Sequence, residues 1–324
     1  ASFLVLGPLL ARFGTARVSE PGGCAIGVRP VDQHLKGLTA LGGNVGLDHG
    51  YVEVTSSGLR GARIAFDLVT VNGTQNLMMA AALARGETIL ENAACEPEVV
   101  ELASALNAMG ASVRGAGGDR IVIEGVKSLR GIRHEVSGDR IEAGTLLAAA
   151  MVTGGDIQVT GVDTSTLEST LEKFREAGAE VETTATRARV RADERSSSAV
   201  VVTAPFPGFP TDMQAQIMAV LAVAKGSSVI TEGVFENRFM HVPELQRMGA
   251  DIELSGRVAR IVGVPRLMGA PVMATDLRAS AGLLLAALAA EGETEVNRVY
   301  HIDRGYERIE EKLRCLGAEI RREG

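Results

Sequence analysis

Residues 283–296 read LLLAALAAEGETEV. An Ala/Leu run without a polar interruption, a glycine, and a short alternating run spell a helix, a turn and a strand. A helix with no polar face has to be covered on every side. The same succession returns at 78–92 (MMAAALARGETILEN), 146–159 (LLAAAMVTGGDIQV) and 217–230 (IMAVLAVAKGSSVI), and in shorter form at 9–18 (LLARFGTARV).

Between these lie segments of a second kind, in which an amphipathic helix closes on Gly-Ala or Gly-Gly before a strand. They are 38–45 (LTALGGNV), 106–113 (LNAMGASV), 174–181 (FREAGAEV), 245–252 (LQRMGADI) and 313–320 (LRCLGAEI). The glycine stands where a helix C-terminus calls for a left-handed residue. The repeating unit is thus helix, strand, helix, and strand or hairpin, about 65 to 70 residues long, longer than common solenoid repeats. Five copies are countable, the fifth ending after its second helix and one strand. Two domains of three units each would need a sixth copy. The chain opens at Ala1 in mid-pattern without a Met. A unit preceding Ala1 in a longer protein is therefore expected, which would leave the first domain the weaker and the 324-residue chain without turnover of its own.

Composition narrows the function. At 46% hydrophobic and 23% charged the chain is of the globular class, and its 324 residues exceed what one core usually serves. The core is built from Ala, Leu, Val and Ile, since aromatics make up 3% and Trp is absent. A net charge of -7 argues against a general nucleic-acid binder, although a few arginines in a cleft still suit an anionic substrate. No apolar run reaches the roughly 18 residues of a membrane span. Three cysteines without CxxC spacing argue against a disulfide framework or a Cys zinc site and fit a reducing cytoplasm. The five histidines lack metal-ligand spacing, so a metal site is not expected.

Three groups of residues carry candidate chemistry. Residues 21–32, PGGCAIGVRPVD, are too rich in Gly and Pro for a regular element, which exposes Cys24 and sets Arg29 near it to stabilise a thiolate. A small apolar residue under a turn is the alternative for Cys24. Cys95, flanked by carboxylates, and Cys315, on a helix beside Leu313, read as inert and structural. In 209–216, FPTDMQAQ, either Thr211 or Asp212 can cap the following helix, and Asp212 can also act as a general base. Arg238, Arg278 and Arg304 each fall with a nearby acid at a junction of the repeat, either as surface pairs or converging on one cleft suited to carboxylate and phosphate.

At these residues the chain resembles the family of UDP-N-acetylglucosamine enolpyruvyl transferases. The resemblance rests on PGGCAIGVRPVDQH, ENAACEPEVV, GDRIEAGT, FPTDMQAQ, VFENRFMHVPELQRMGA, MATDLRAS and YHIDRGYERIEEKL, and runs over essentially the whole chain. The related transferase of aromatic biosynthesis, lacking the Cys loop, fits less well. The resemblance implies an α/β fold: a two-domain inverted α/β barrel of repeated units, helices inside and sheets outside, with the first repeat missing. It divides the chain at 1–137 and 138–324. The partners it implies are phosphoenolpyruvate and UDP-N-acetylglucosamine, with no cofactor, in the first committed step of peptidoglycan synthesis. Cys24 would protonate the methylene carbon of phosphoenolpyruvate and can form an adduct with it. Asp212 would take the proton of the sugar 3-hydroxyl. Arg29, Arg238 and Arg304 would hold phosphate and carboxylate, supported by Asp276 and Arg278. Arg29, Pro30, Val31, Asp32 and Gln33, with Leu68, Val69, Thr70 and Val71, and with Asp212 and Val234, would line the nucleotide-sugar site. Residues 71–76 read as a variable form of the loop after that stretch. The family's Lys-Asn pair and an Arg preceding Ala1 have no counterpart in these residues. A non-catalytic homologue that kept the fold is the competing class.

Overall fold

The computed structural model describes residues 2–20, 31–192 and 195–323. Its contacts divide the chain into two compact units, with the boundary between Val136 and Ser137.

In the first unit the helix Leu6–Phe13 ends on Gly14 and turns into the strand Thr15–Ser19. That strand pairs with Tyr51–Thr55, which also pairs with Asn44–Asp48, both antiparallel. A second sheet runs in the order Arg63–Ala65, Glu87–Glu91, Arg120–Glu124, Ser112–Arg114, with only the first pair parallel. The strands Thr15–Ser19 and Tyr51–Thr55 bury every second residue and leave the others exposed. One face of the sheet therefore packs on helices while the other meets water. Val71–Ala81 is the buried helix of this unit, packed between Leu6–Phe13 and Asp32–Ala40.

The second unit repeats the plan. The strands Asp156–Thr160, Arg187–Arg191 and Glu180–Thr184 form one antiparallel sheet. Val200–Val202, Ser227–Thr231, Val258–Val262 and Asp251–Ser255 form the four-stranded one. Two parallel two-stranded pairs follow: Leu267–Met268 with Ala290–Glu291, and Pro271–Met273 with Glu295–Asn297. Three helices, Arg140–Thr153, Gln214–Ala222 and Leu277–Leu288, pack on one another in the middle. All nine residues of Gln214–Ala222 are buried. Ala-rich surfaces allow such helices to approach closely, and the sheets shield their remaining sides.

Three local expectations fail. Residues 71–76 are not a loop but the opening turns of the helix Val71–Ala81, because Thr70 caps it, its Oγ1 accepting from Gly73 N at 3.2 Å. No strand follows Gly317: residues 318–323 pair with no strand among the described residues, and a strand without a ladder partner does not form. Cys315 is exposed rather than packed.

Candidate active site

The site in the second unit is assembled at the junctions between repeats. Phe209 is buried, and Pro210 leads into the turn Thr211–Met213 ahead of the helix Gln214–Ala222. Neither Thr211 nor Asp212 caps that helix, contrary to expectation. The Thr211 hydroxyl donates instead to Glu232. The Asp212 carboxylate is taken by two guanidiniums: Oδ1 accepts from Arg238 Nη2 at 2.8 Å and Oδ2 from Arg278 Nε at 3.1 Å.

Arg238 is 5% exposed, too buried for the usual surface pair. Its guanidinium carbon lies 5.2 Å from the centre of the Phe235 ring. Arg278 occupies the first turn of the helix Leu277–Leu288, and Asp276 caps that turn. Asp276 Oδ1 accepts from Arg278 N at 2.9 Å and Ala279 N at 3.0 Å. Asp276 therefore supports Arg278 through the backbone, by fixing the turn that carries it.

Electrostatics follow from this packing. Burial opposes ionisation of Asp212, but the charges of Arg278 and Arg238 outweigh it and hold the carboxyl below the usual range. Burial likewise works against the Arg278 charge, and Asp212, joined by Tyr306 and Asp139, more than restores it. His241 is fully buried, and desolvation brings it down to about 4, with Asp276 opposing the shift and Arg238 adding to it. It is a neutral imidazole.

Beneath Arg278 lies a polar cluster that the sequence reading did not single out. The Tyr306 ring centre is 5.4 Å from the Arg278 guanidinium carbon. Its hydroxyl is 2.9 Å from Thr145 Oγ1 and accepts from Gln216 Nε2 at 3.3 Å. Gln216 Nε2 also donates to Thr145 Oγ1 at 3.0 Å, and Thr145 passes its own proton to Ile141 O at 2.8 Å. With the Thr145 proton spent on Ile141, the Tyr306 hydroxyl is left to donate to Thr145. Thr145 and Gln216 precede apolar helical runs and Tyr306 lies among charged residues, so only folding reveals that they meet.

Of the remaining expected residues, Val234 directs its N–H to Glu232 Oε1 at 2.9 Å. Arg304 ends the turn Val299–Arg304, exposed, and is not drawn onto Asp212. In the first unit Gln33, from one stretch expected to line a nucleotide sugar, meets Asp67, which directly precedes the other. Gln33 Nε2 donates to Asp32 and to Asp67, each at 3.0 Å, and Asp67 N returns a bond to Gln33 Oε1 at 2.9 Å. Lys36 Nζ holds the Asp67 carboxylate at 2.8 Å, which lowers its pKa. Leu68 and Val69 follow with 68% and 41% exposure, and Val31 precedes the helix Asp32–Ala40. Cys24, Arg29 and Pro30 lie outside the described residues. The Cys95 thiol is pushed up by burial and then by Glu96 and Asp119, as an inert cysteine would be.

The comparisons with known proteins bear on this arrangement. A family profile described as EPSP synthase (3-phosphoshikimate 1-carboxyvinyltransferase) matches residues 1–313. A UDP-N-acetylglucosamine 1-carboxyvinyltransferase of Myxococcus xanthus is 59% identical over 323 residues, covering 100% of this chain and 77% of that protein. One from an Anaeromyxobacter species is 63% identical over 325 residues, with the same coverage. Among solved structures, the enolpyruvyl transferase NikO from Streptomyces tendae matches with a TM-score of 0.87 at 28% identity, over 98% of this chain and 76% of that one. An EPSP synthase from Acinetobacter baumannii shares the fold, with a TM-score of 0.71 at 17% identity, over 97% of this chain and 76% of its own. With a profile match spanning nearly its full length and relatives this similar, the chain belongs to the EPSP synthase family of carboxyvinyltransferase enzymes.

Proposed function

We propose that the chain transfers the enolpyruvyl group of phosphoenolpyruvate to the 3-hydroxyl of UDP-N-acetylglucosamine and releases phosphate. The observation that carries this reading is Asp212 held between Arg238 and Arg278, a carboxylate and two cations brought together from three separate segments. Relatives 59 to 63% identical that bear the name of this transferase support the choice of acceptor. Asp212 takes the proton of the 3-hydroxyl as its oxygen bonds to the central carbon of phosphoenolpyruvate. Cys24 gives a proton to the methylene carbon, and a tetrahedral ketal results. Loss of a proton from the new methyl group and departure of phosphate restore the double bond. Arg29, Arg238 and Arg304 hold the phosphate and carboxylate, with Asp276 and Arg278 behind them. Residues 29–33, 68–71 and Val234 line the nucleotide sugar. In this reading the reaction is the first committed step of peptidoglycan synthesis and takes place in the cytoplasm.

The depressed pKa of Asp212 keeps it ionised at neutral pH but makes it a weak base. Substrate resolves this tension. The anionic groups of phosphoenolpyruvate share the guanidiniums of Arg238 and Arg278, loosen their hold on Asp212 and raise its basicity only when the reaction can proceed. A phosphate-release assay with both substrates, run on the protein extended at its N-terminus to the length of the relatives it matches, tests the reading. Turnover is expected, and Asp212→Asn is expected to lose about 100-fold or more of it while nucleotide-sugar affinity changes much less. An epoxide phosphonate mimicking phosphoenolpyruvate should label Cys24 in peptide maps. Absence of phosphate release would overturn the assignment.

A further inference from the structure

Close to Asp212 lies a second carboxylate that takes no part in the chemistry above. Glu232 follows the strand Ser227–Thr231 and is 1% exposed. Burying a carboxylate is costly unless donors converge on it, and here they do. Oε1 accepts from Thr203 Oγ1 at 2.8 Å, Thr211 Oγ1 at 3.0 Å, Val234 N at 2.9 Å and Phe235 N at 3.1 Å. Oε2 accepts from Thr211 Oγ1 as well, at 3.0 Å. Thr211 immediately precedes Asp212. The bonded amides of Val234 and Phe235 open the loop that leads to Arg238, whose guanidinium lies over the Phe235 ring.

We propose that Glu232 is the positioning residue of this site: one buried carboxylate ties the turn carrying Asp212 to the loop carrying Arg238, and so sets the contact between base and cation. The two segments are 26 residues apart in the chain, and the strand Ser227–Thr231 by itself fixes only one of them. A residue needed only to end that strand could be apolar. A group that accepts from both segments at once has to be a polar acceptor, and Oε1 alone reaches both, from Thr211 Oγ1 and from the amides of Val234 and Phe235. The proposal concerns geometry and stands apart from the proposed reaction; only its kinetic arm rests on that reading.

Two isosteric substitutions separate positioning from plain structural support. Thr203→Val removes one hydroxyl from Glu232 and also strips Gly233 N of its acceptor at 2.9 Å, but leaves the tie between Thr211 and the 234–235 amides in place. Thr211→Val cuts that tie. Structural support alone predicts that Thr203→Val does at least as much harm by every measure. Positioning predicts an inversion. Thr203→Val should lower the melting temperature the more, whereas Thr211→Val should raise the Asp212 pKa by about one unit, a tenfold weaker hold on its charge. The Asp212 value is read by NMR titration of carboxyl-labelled aspartate. Thr203→Val should leave it in place, and Thr211→Ser, which keeps the hydroxyl, should restore it. If Thr211→Val does not fold, Thr211→Ala, which also removes the hydroxyl, takes its place with the same titration. In the phosphate-release assay Thr211→Val is expected to lower kcat about tenfold with the nucleotide-sugar KM within about twofold, in the manner of an interaction made in the transition state. Wild-type protein without phosphate release would sink the proposed reaction and leave the titration to decide the role of Glu232. An Asp212 pKa unmoved by Thr211→Val, or moved equally by both valines, would overturn the positioning role.

Discussion

Each unit buries one histidine: His34 in the first and His241 in the second. Asn76 Nδ2 donates to His34 Nδ1 at 2.8 Å, and the Phe3 ring stands edge-on to the imidazole. Desolvation brings His34 down to about 4, with Asp32 offsetting part of the shift, and His241 also sits at about 4. Once unfolded, both recover the ordinary value of 6.5. Between those values the unfolded chain binds protons that the folded chain refuses. Stability should therefore fall as pH drops from 6.5 to about 4, and these two contributions level off below that. The full effect of each is roughly 3 kcal/mol. Urea midpoints measured from pH 7 to pH 4 check this, and His34→Gln should flatten the dependence of the first unit alone. Residues of this kind mark what sequence conveys at the smallest scale. Asp212, Arg238 and Arg278 were legible because a carboxylate and arginines recurred at repeat junctions. Glu232, Tyr306 and Thr145 were not, because their function comes from burial and from partners tens of residues away.

The turns were the most legible elements. The five glycines that close the second kind of segment, Gly42, Gly110, Gly178, Gly249 and Gly317, all have φ between 92° and 102°. At Gly249 a Cβ would meet no atom within 4 Å, so backbone conformation alone keeps glycine there. Gly249→Ala should cost about 1 to 2 kcal/mol through the left-handed backbone, and Gly249→Asn less, since Asn tolerates that region. Chemical denaturation of the two variants checks the order; an alanine as stable as glycine would show that the turn relaxes. Helix starts were harder to read. Thr70 caps a helix start that did not read as one, whereas Thr211 and Asp212 looked like caps and are bonded to Glu232 and to two arginines. The same side chains suit both tasks, and which one prevails depends on what the rest of the chain brings near. The strand expected after Gly317 fails for the same reason, because alternation shows which residues suit a strand but not whether a neighbour is there to pair with them.

At the scale of the whole chain, the apolar residues separate into two buried clusters. One gathers Leu6, Leu38, Leu77, Leu90 and Ile121, the other Leu147, Phe174, Leu221, Ile261 and Leu283. The repeats made an α/β fold of inner helices and outer sheets legible, since helices apolar all round admit little else. The second cluster centres on three helices that pack on one another, and the helix Gln214–Ala222 is covered along its full length. More of its apolar surface leaves water, so the second unit should be the more stable. Leu77 and Leu221 are both 0% exposed, one in each core. Replacing either by Ala removes comparable apolar volume and should cost about 2 to 5 kcal/mol. Calorimetry is expected to resolve two transitions. Leu77→Ala should lower the first and leave the second in place, while Leu221→Ala should bring the second down toward the first. If each substitution instead shifted a single common transition by the same amount, the two cores would have to melt as one cooperative body, since only then does a cavity in either destabilise both.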